Sequence, residues 1–359
     1  MLSTLRRVRP SVRPSRRAPG AGPTAALALA SSLALAGCSA VGAPSAGGSD
    51  ESSAPAGTDV AATTYPLTLD NCGFDVTFDA APEKVVTIKS STTEMMLALG
   101  LGDRIVGTAF PDGAVAERWA DVAADLPAVA TPLADKVPGA EAVLTLEPDL
   151  VYAGWESNLT AEGAGDRSTL QQLGVQTYVS PSACKDEAYK PDPLTFDDVF
   201  AEITEAGQVF DVAGTAEDLV AAQRAGLDAV EPDDRGLTAL WYSSGSDIPY
   251  VGAGTGAPQM IMDAVGLENI AASVRDTWTP FSFEEIIAAD PDVIVLVDSA
   301  WNTAQSKIDA LQANPATANL TAVREDRFLT VPFPATEAGV RNVDAVEDLG
   351  AQLAALTVS

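Results

Sequence analysis

The residues that could do chemistry in this 359-residue chain are aromatic and ionic side chains set where apolar runs give way to loops. Towards the N-terminus these are Lys89, Ser90, Ser91, Phe110, Trp155, Glu156, Asn158 and Lys185. Towards the C-terminus they are Tyr242, Ser243, Tyr250, Trp278, Trp301, Phe333 and Arg341. Rings of this kind stack on flat conjugated molecules. Lys89 and Ser90 precede a helix whose first free N–H groups favour an anion. Arg341 can grip a carboxylate or phosphate through two bonds. The set reads as a binding site for an aromatic, anionic organic ligand. Catalysis fits less well. Histidine, the commonest general base, does not occur in the chain. There is no nucleophile elbow and no phosphate loop, and the run Gly252-Ala253-Gly254-Thr255-Gly256 lacks the dinucleotide fingerprint. Asp112, Glu156 and Asp247 could pair as acid and base, but each reads as a solvated loop acid. No catalytic residue, cofactor or metal site is expected. The missing histidine also removes the usual ligand of zinc and manganese.

The elements that must position these residues alternate between strand and helix. Lys84–Ile88 is a strand by its β-branched run. Ser91-Thr92-Thr93-Glu94 has the form of a capping box opening a helix over Met95–Leu99, which Gly100 ends. Arg104–Thr108 is the next strand. Ala140–Leu146 is a helix, Pro148-Asp149 a break and Leu150–Ala153 a strand. Ser168–Leu173 and Val175–Val179 repeat the pair. Thr195–Asp211 and Thr215–Glu231 are two successive helices. Strand and helix then alternate again: Leu237–Tyr242, Pro258–Val265, Ile286–Ala289 behind a Ser282/Glu285 capping box, and Val293–Val297. Helices over Thr303–Gln312 and Val343–Leu356 complete the chain. This alternation predicts an α/β fold.

The N-terminus has a different character. Arg6, Arg7, Arg9, Arg13, Arg16 and Arg17 precede an apolar run, Ala25–Cys38, that is too short to span a bilayer as a helix. This order is that of a secretory signal. Its end, Leu35-Ala36-Gly37-Cys38, resembles the lipobox of bacterial lipoproteins, in which the cysteine takes the lipid and becomes the new N-terminus. Residues 39–64 are rich in Ser, Gly, Ala and Pro and cannot form a packed core. Removing six arginines lowers the basic count from 21 to 15, so the mature net charge is 15 − 50 = −35. Such a body offers nothing to nucleic acid. Of three cysteines, Cys38 goes to lipid. Cys72 and Cys184 remain, in an exported chain where disulfides persist. One bridge is expected, with two buried thiols as the alternative.

Two internal echoes connect the halves. Glu141–Val151 (EAVLTLEPDLV) and Glu284–Val295 (EEIIAADPDVIV) each place a helix, a Pro-Asp turn and an apolar strand in the same order. Together with Lys84–Gly107, Val251–Ala271 and Gly339–Leu349, they resemble the iron-siderophore, haem and cobalamin class of periplasmic-binding proteins. The resemblance implies two Rossmann-like α/β lobes joined by a single long helix, the class III periplasmic-binding-protein fold, with ligand in the cleft between the lobes. On that reading residues 1–37 are a lipoprotein signal peptide and 38–64 a lipid-anchored linker. Residues 65–213 are the N-terminal lobe, 214–234 the connecting helix and 235–359 the C-terminal lobe. The partners it implies are an ABC permease dimer with its ATPase subunits and a small-molecule ligand. The protein is expected to be a monomer, held to the extracytoplasmic face of the cell membrane by lipid alone. One exposed glutamate per lobe docks on the permease in this class, and Glu141 and Glu284 match. Asp70–Gly73, Ile88–Glu94, Ala153–Asn158 and Pro181–Lys185 are further similar to an actinobacterial subgroup named for uptake of a deazaflavin coenzyme precursor. A deazaflavin carrying a phosphate ester is therefore the expected ligand, with a ferric siderophore, haem or cobalamin as the alternative. A surface sensor and a tethered enzyme are the rival readings.

Overall fold

The computed structural model describes residues 61–357. The leader, Cys38 and most of the linker lie outside the described residues. The first element among the described residues is a hairpin, β1 (Leu67–Asn71) and β2 (Phe74–Phe78). Its two-residue turn needs positive φ at both positions, and Cys72 (59°) and Gly73 (75°) supply it. The Asp70 carboxylate accepts from the Gly73 N–H at 2.8 Å and holds the turn.

The first lobe follows as β3 (Val85–Ile88), α1 (Ser90–Ala98), β4 (Ile105–Ala109), α2 (Glu117–Asp125), α3 (Pro127–Ala130), α4 (Ala140–Leu144), β5 (Leu150–Ala153), α5 (Arg167–Gln172) and β6 (Gln176–Val179). The strands form one parallel sheet in the order β4-β3-β5-β6. Every residue of β3 and β5 is buried. That is why these strands read as unbroken apolar runs rather than alternating ones.

Two helices come next, α6 (Phe196–Val209) and α7 (Ala213–Ala229). The 17 residues of α7 span about 25 Å. It packs against α6 on one side and against the last helix of the chain on the other, as a strut between lobes. The second lobe is β7 (Thr238–Ser244), β8 (Tyr250–Gly252), α8 (Ala257–Val265), β9 (Glu268–Asn269), β10 (Trp278–Pro280), α9 (Phe283–Ala289), β11 (Val293–Asp298), α10 (Ala304–Ala313), α11 (Thr321–Arg324), β12 (Phe328–Pro332) and α12 (Asn342–Ala355). Its sheet runs β10-β8-β7-β11-β12, with β9 beside the start of β7. β7, β11 and β12 are parallel, and β8 and β10 are antiparallel additions at one edge. One apolar core runs through both lobes and includes Tyr152, Tyr178 and Trp241.

Three expectations change. Ser91–Glu94 is not a capping box. α1 already begins at Ser90, its N-cap is Lys89 at φ 88°, and no side chain caps it. Glu94 is buried, and its carboxylate turns away to accept from the Ala116 N–H at 3.0 Å. Arg104 lies in a short turn before β4 rather than in the strand. Asp112 is not a solvated loop acid but buried, at 1 % exposure.

Candidate functional site

The loops after β3, β4, β5 and β12 converge at the interface of the lobes. Lys89, at the end of β3, is fully buried there. Its Nζ pairs with the Asp112 carboxylate and lies 3.2 Å from Glu337 Oε1. Three rings close around it, at 3.6 Å from the Trp155 centroid, 4.7 Å from Phe110 and 5.0 Å from Phe333. Lys89, Phe110, Asp112 and Trp155 belong to the first lobe, while Phe333 and Glu337 belong to the second. The ammonium therefore bridges the lobes within an aromatic and acidic box.

The same region binds its own anion. The Ser90 N–H at the start of α1 donates to Asp112 Oδ1 at 3.3 Å, and the Ser90 hydroxyl accepts from the Asp112 N–H at 3.1 Å. The helix terminus expected to receive an anionic ligand is thus occupied by Asp112. Arg341 is engaged too, 3.2 Å from Glu94 Oε1 and 3.2 Å from the Ala114 carbonyl. Burial pushes the Glu94 carboxyl up to about 7, against the pull of Arg341. Burial likewise pushes Glu337 up to about 7, opposed by Lys89 and reinforced by Asp112.

Beside this box opens a cleft of about 590 Å³. Ser91, Gly154 and Trp155 line it from the first sheet, and Ser182–Lys185 from the turn after β6. Thr255–Ala257, Arg275–Trp278 and Thr336–Ala338 line it from the second lobe. Of the residues expected at the site, Ser91, Trp155, Lys185 and Trp278 border the cleft. Glu156 and Asn158 shape its wall instead. Glu156 Oε2 accepts from the Lys185 N–H at 2.6 Å, and Asn158 Oδ1 accepts from the Trp155 N–H at 3.1 Å. Tyr242 and Ser243 are buried in β7, and the Tyr242 hydroxyl donates to the Gly245 carbonyl. Tyr250 stands exposed on β8 opposite Pro280. Trp301 is exposed and packs edge-on against Phe333, with centroids 5.2 Å apart. The structure does not bring these four to the cleft.

Glu337 and the Thr255–Ala257 turn border the cleft without having been expected there. Glu337 lies between Phe333 and Arg341 in the chain, and that proximity was the available signal. Cys72 and Cys184 are joined in a disulfide that ties the cleft-lining turn to the β1–β2 hairpin. Glu202 of α6 is buried under this turn, 3.3 Å from the Ser182 hydroxyl, and burial pushes it up to about 7. Glu141 and Glu284 are both exposed in the first turns of their helices, with no ion-pair partner among the described residues.

A family described as periplasmic binding protein matches residues 85–335, which covers the sheets of both lobes and all of the cleft lining except Thr336–Ala338. The chain belongs to that family. A Bacillus subtilis relative, the ABC transporter substrate-binding lipoprotein YvrC, is 28 % identical over 295 residues, covering 79 % of this chain and 84 % of its own length. The vitamin B12-binding protein of Vibrio parahaemolyticus is 24 % identical over 242 residues, covering 65 % of this chain and 79 % of its own. Among solved structures, the ABC-type Fe3+-hydroxamate transport system protein of Saccharomonospora viridis is 29 % identical with a TM-score of 0.69. It covers 81 % of this chain and 100 % of its own. At that level of description this periplasmic binding protein is an ABC transporter substrate-binding protein. Its relatives divide among iron-chelate, haem and cobalamin binders by name. No helix among its described residues is long and apolar enough to cross a membrane.

Proposed function

We propose that this protein captures a coordinatively saturated metal chelate, of the ferric-hydroxamate or corrinoid kind, in the inter-lobe cleft and delivers it to an ABC permease with its ATPase subunits. The composition of the cleft wall carries this reading. Two indoles, Trp155 and Trp278, offer stacking surface, and serines, threonines and backbone groups offer hydrogen bonds. A haem iron would want an axial histidine, tyrosine, methionine or thiolate. The residues lining the cleft include no histidine, tyrosine or methionine, and their one cysteine, Cys184, is in the disulfide. A chelate whose organic shell already fills the metal's coordination needs none of these. The relatives named for vitamin B12 and for Fe3+-hydroxamate bind molecules of that description.

A deazaflavin phosphate ester is the second reading. Lys89 and Arg341 no longer support it, since each is committed to buried carboxylates. It is favoured by Lys185 and Lys190, which border the cleft and have no carboxylate partner among the described residues. Intrinsic tryptophan fluorescence separates the readings. Saturable quenching by a ferric hydroxamate or by cyanocobalamin, with haem and a deazaflavin inert, is the expected result. Binding of haem or the deazaflavin, with neither chelate bound, overturns it.

The protein acts as a binder rather than an enzyme, as a monomer, anchored through lipid on Cys38 outside the cytoplasmic membrane. Exchange of Cys38 for alanine releases it to the medium on this account, and continued membrane retention contradicts the anchor. Glu141 and Glu284 dock on the permease. Reversing both charges abolishes uptake and leaves ligand affinity intact, whereas a loss of affinity means that they do not serve docking.

A further inference from the structure

The buried box beside the cleft holds one carboxylate more than its cation balances. Asp112 and Glu337 face a single ammonium, that of Lys89, and at formal charges the three sum to −1. Their side chains are 0 %, 10 % and 1 % exposed in that order, so water does little to screen the excess. The other charges lining the cleft do not supply the missing cation. Lys185, Lys190 and Arg275 are matched three against three by Glu187, Asp192 and Asp276, all six are exposed, and Arg275 is already paired with Asp192. Arg341, four residues beyond Glu337, is held by Glu94.

Glu337 is the member of the buried triad that reaches the cavity wall. Lys89 engages its Oε1, and the Trp155 side chain beside it also favours the charged carboxylate. Trp155 also borders the cavity, together with Trp278. A carboxylate with excess charge in a nearly dry site, beside indole rings, recognises an organic cation by ion pairing and by cation–π attraction. The box already shows this chemistry internally, since the group it holds is the ammonium of Lys89.

Resting on the reading above, we infer that the chelate taken by this cleft carries an alkylammonium group, received by Glu337 beside Trp155 and Trp278. This reverses the sign expected from the sequence, where Lys89 and Arg341 pointed to an anionic ligand. Both bases are there, but each is consumed by acids of the chain.

The test compares two ferric trihydroxamates that differ in one group: ferrioxamine B, with a free terminal ammonium, and its N-acetylated form, which is neutral at that end. Affinities are measured by fluorescence quenching of the full-length chain in detergent at pH 8, where Glu337 is mostly ionised. The ammonium form is expected to bind about ten-fold more tightly. Glu337→Gln abolishes that preference, so that the two forms bind equally, and Glu337→Asp, which keeps the charge, retains the preference. Thermal unfolding of each variant shows whether it is folded. Equal affinities in the parent protein, or a preference that survives Glu337→Gln, overturn the cation site while leaving the chelate reading intact. Binding of neither form overturns the hydroxamate reading itself, and the cation site with it.

Discussion

Replacing Lys89 by methionine leaves Asp112 and Glu337 buried at the lobe interface without their counter-charge. Breaking a buried pair from one side costs about 3–5 kcal/mol. Urea unfolding of Lys89→Met is therefore expected to show a loss of that size. A ligand-facing lysine, as the sequence alone suggests, would leave stability unchanged, so the same experiment decides between the two roles. That Lys89, Phe110, Trp155 and Phe333 meet at the lobe interface was legible because each follows a strand end, where α/β sheets gather their loops. What they do to one another was not. The pairing of Lys89 with Asp112 and Glu337 joins residues 23 and 248 positions away, since 112 − 89 = 23 and 337 − 89 = 248, and local pattern carries no trace of either contact.

At the scale of elements, the turn over Pro181–Ala183 and the residues after it form one wall of the cleft, and two devices hold that wall in place. One is the Cys72–Cys184 disulfide, which closes a loop of sequence separation 112. Chain entropy assigns such a crosslink about 4 kcal/mol. Changing both cysteines to serine should lower unfolding stability by up to that amount, and an unchanged urea midpoint would count against the bridge in exported protein. The other device is the hydrogen bond from the Lys185 N–H to Glu156. The Pro-Asp echoes predicted α4–β5 and α9–β11 correctly, because in both the break is a local signal and the strand is apolar throughout. The β1–β2 hairpin went unread, since Cys72 rather than Asn or Asp precedes Gly73 in its turn. β8 and β10, three residues each, lie at a sheet edge and are too short to show a period.

Across the whole molecule, acidity and burial act in the same direction. Glu94, Glu202 and Glu337 are each held at about 7, chiefly by burial, against an ordinary 4.5. Between those two values the folded chain binds more protons than the unfolded one, so stability rises as pH falls from 8 to 5. A net charge of −29 adds to the trend. Glu202→Gln separates the two causes, because it removes one buried carboxyl and changes the net charge by a single unit. The variant's melting temperature should depend less steeply on pH over this range; a slope equal to the parent's would assign the effect to net charge alone. The central claim concerns where the ligand sits, and Trp278 and Trp301 test it together. Both were expected at the site, but Trp278 lines the cleft and Trp301 packs outside it on Phe333. Calorimetric titration of Trp278→Ala and Trp301→Ala with the chelate that binds the parent protein should show a loss of about ten-fold for the first and less than about two-fold for the second; full affinity in Trp278→Ala, with binding lost in Trp301→Ala, would contradict the account.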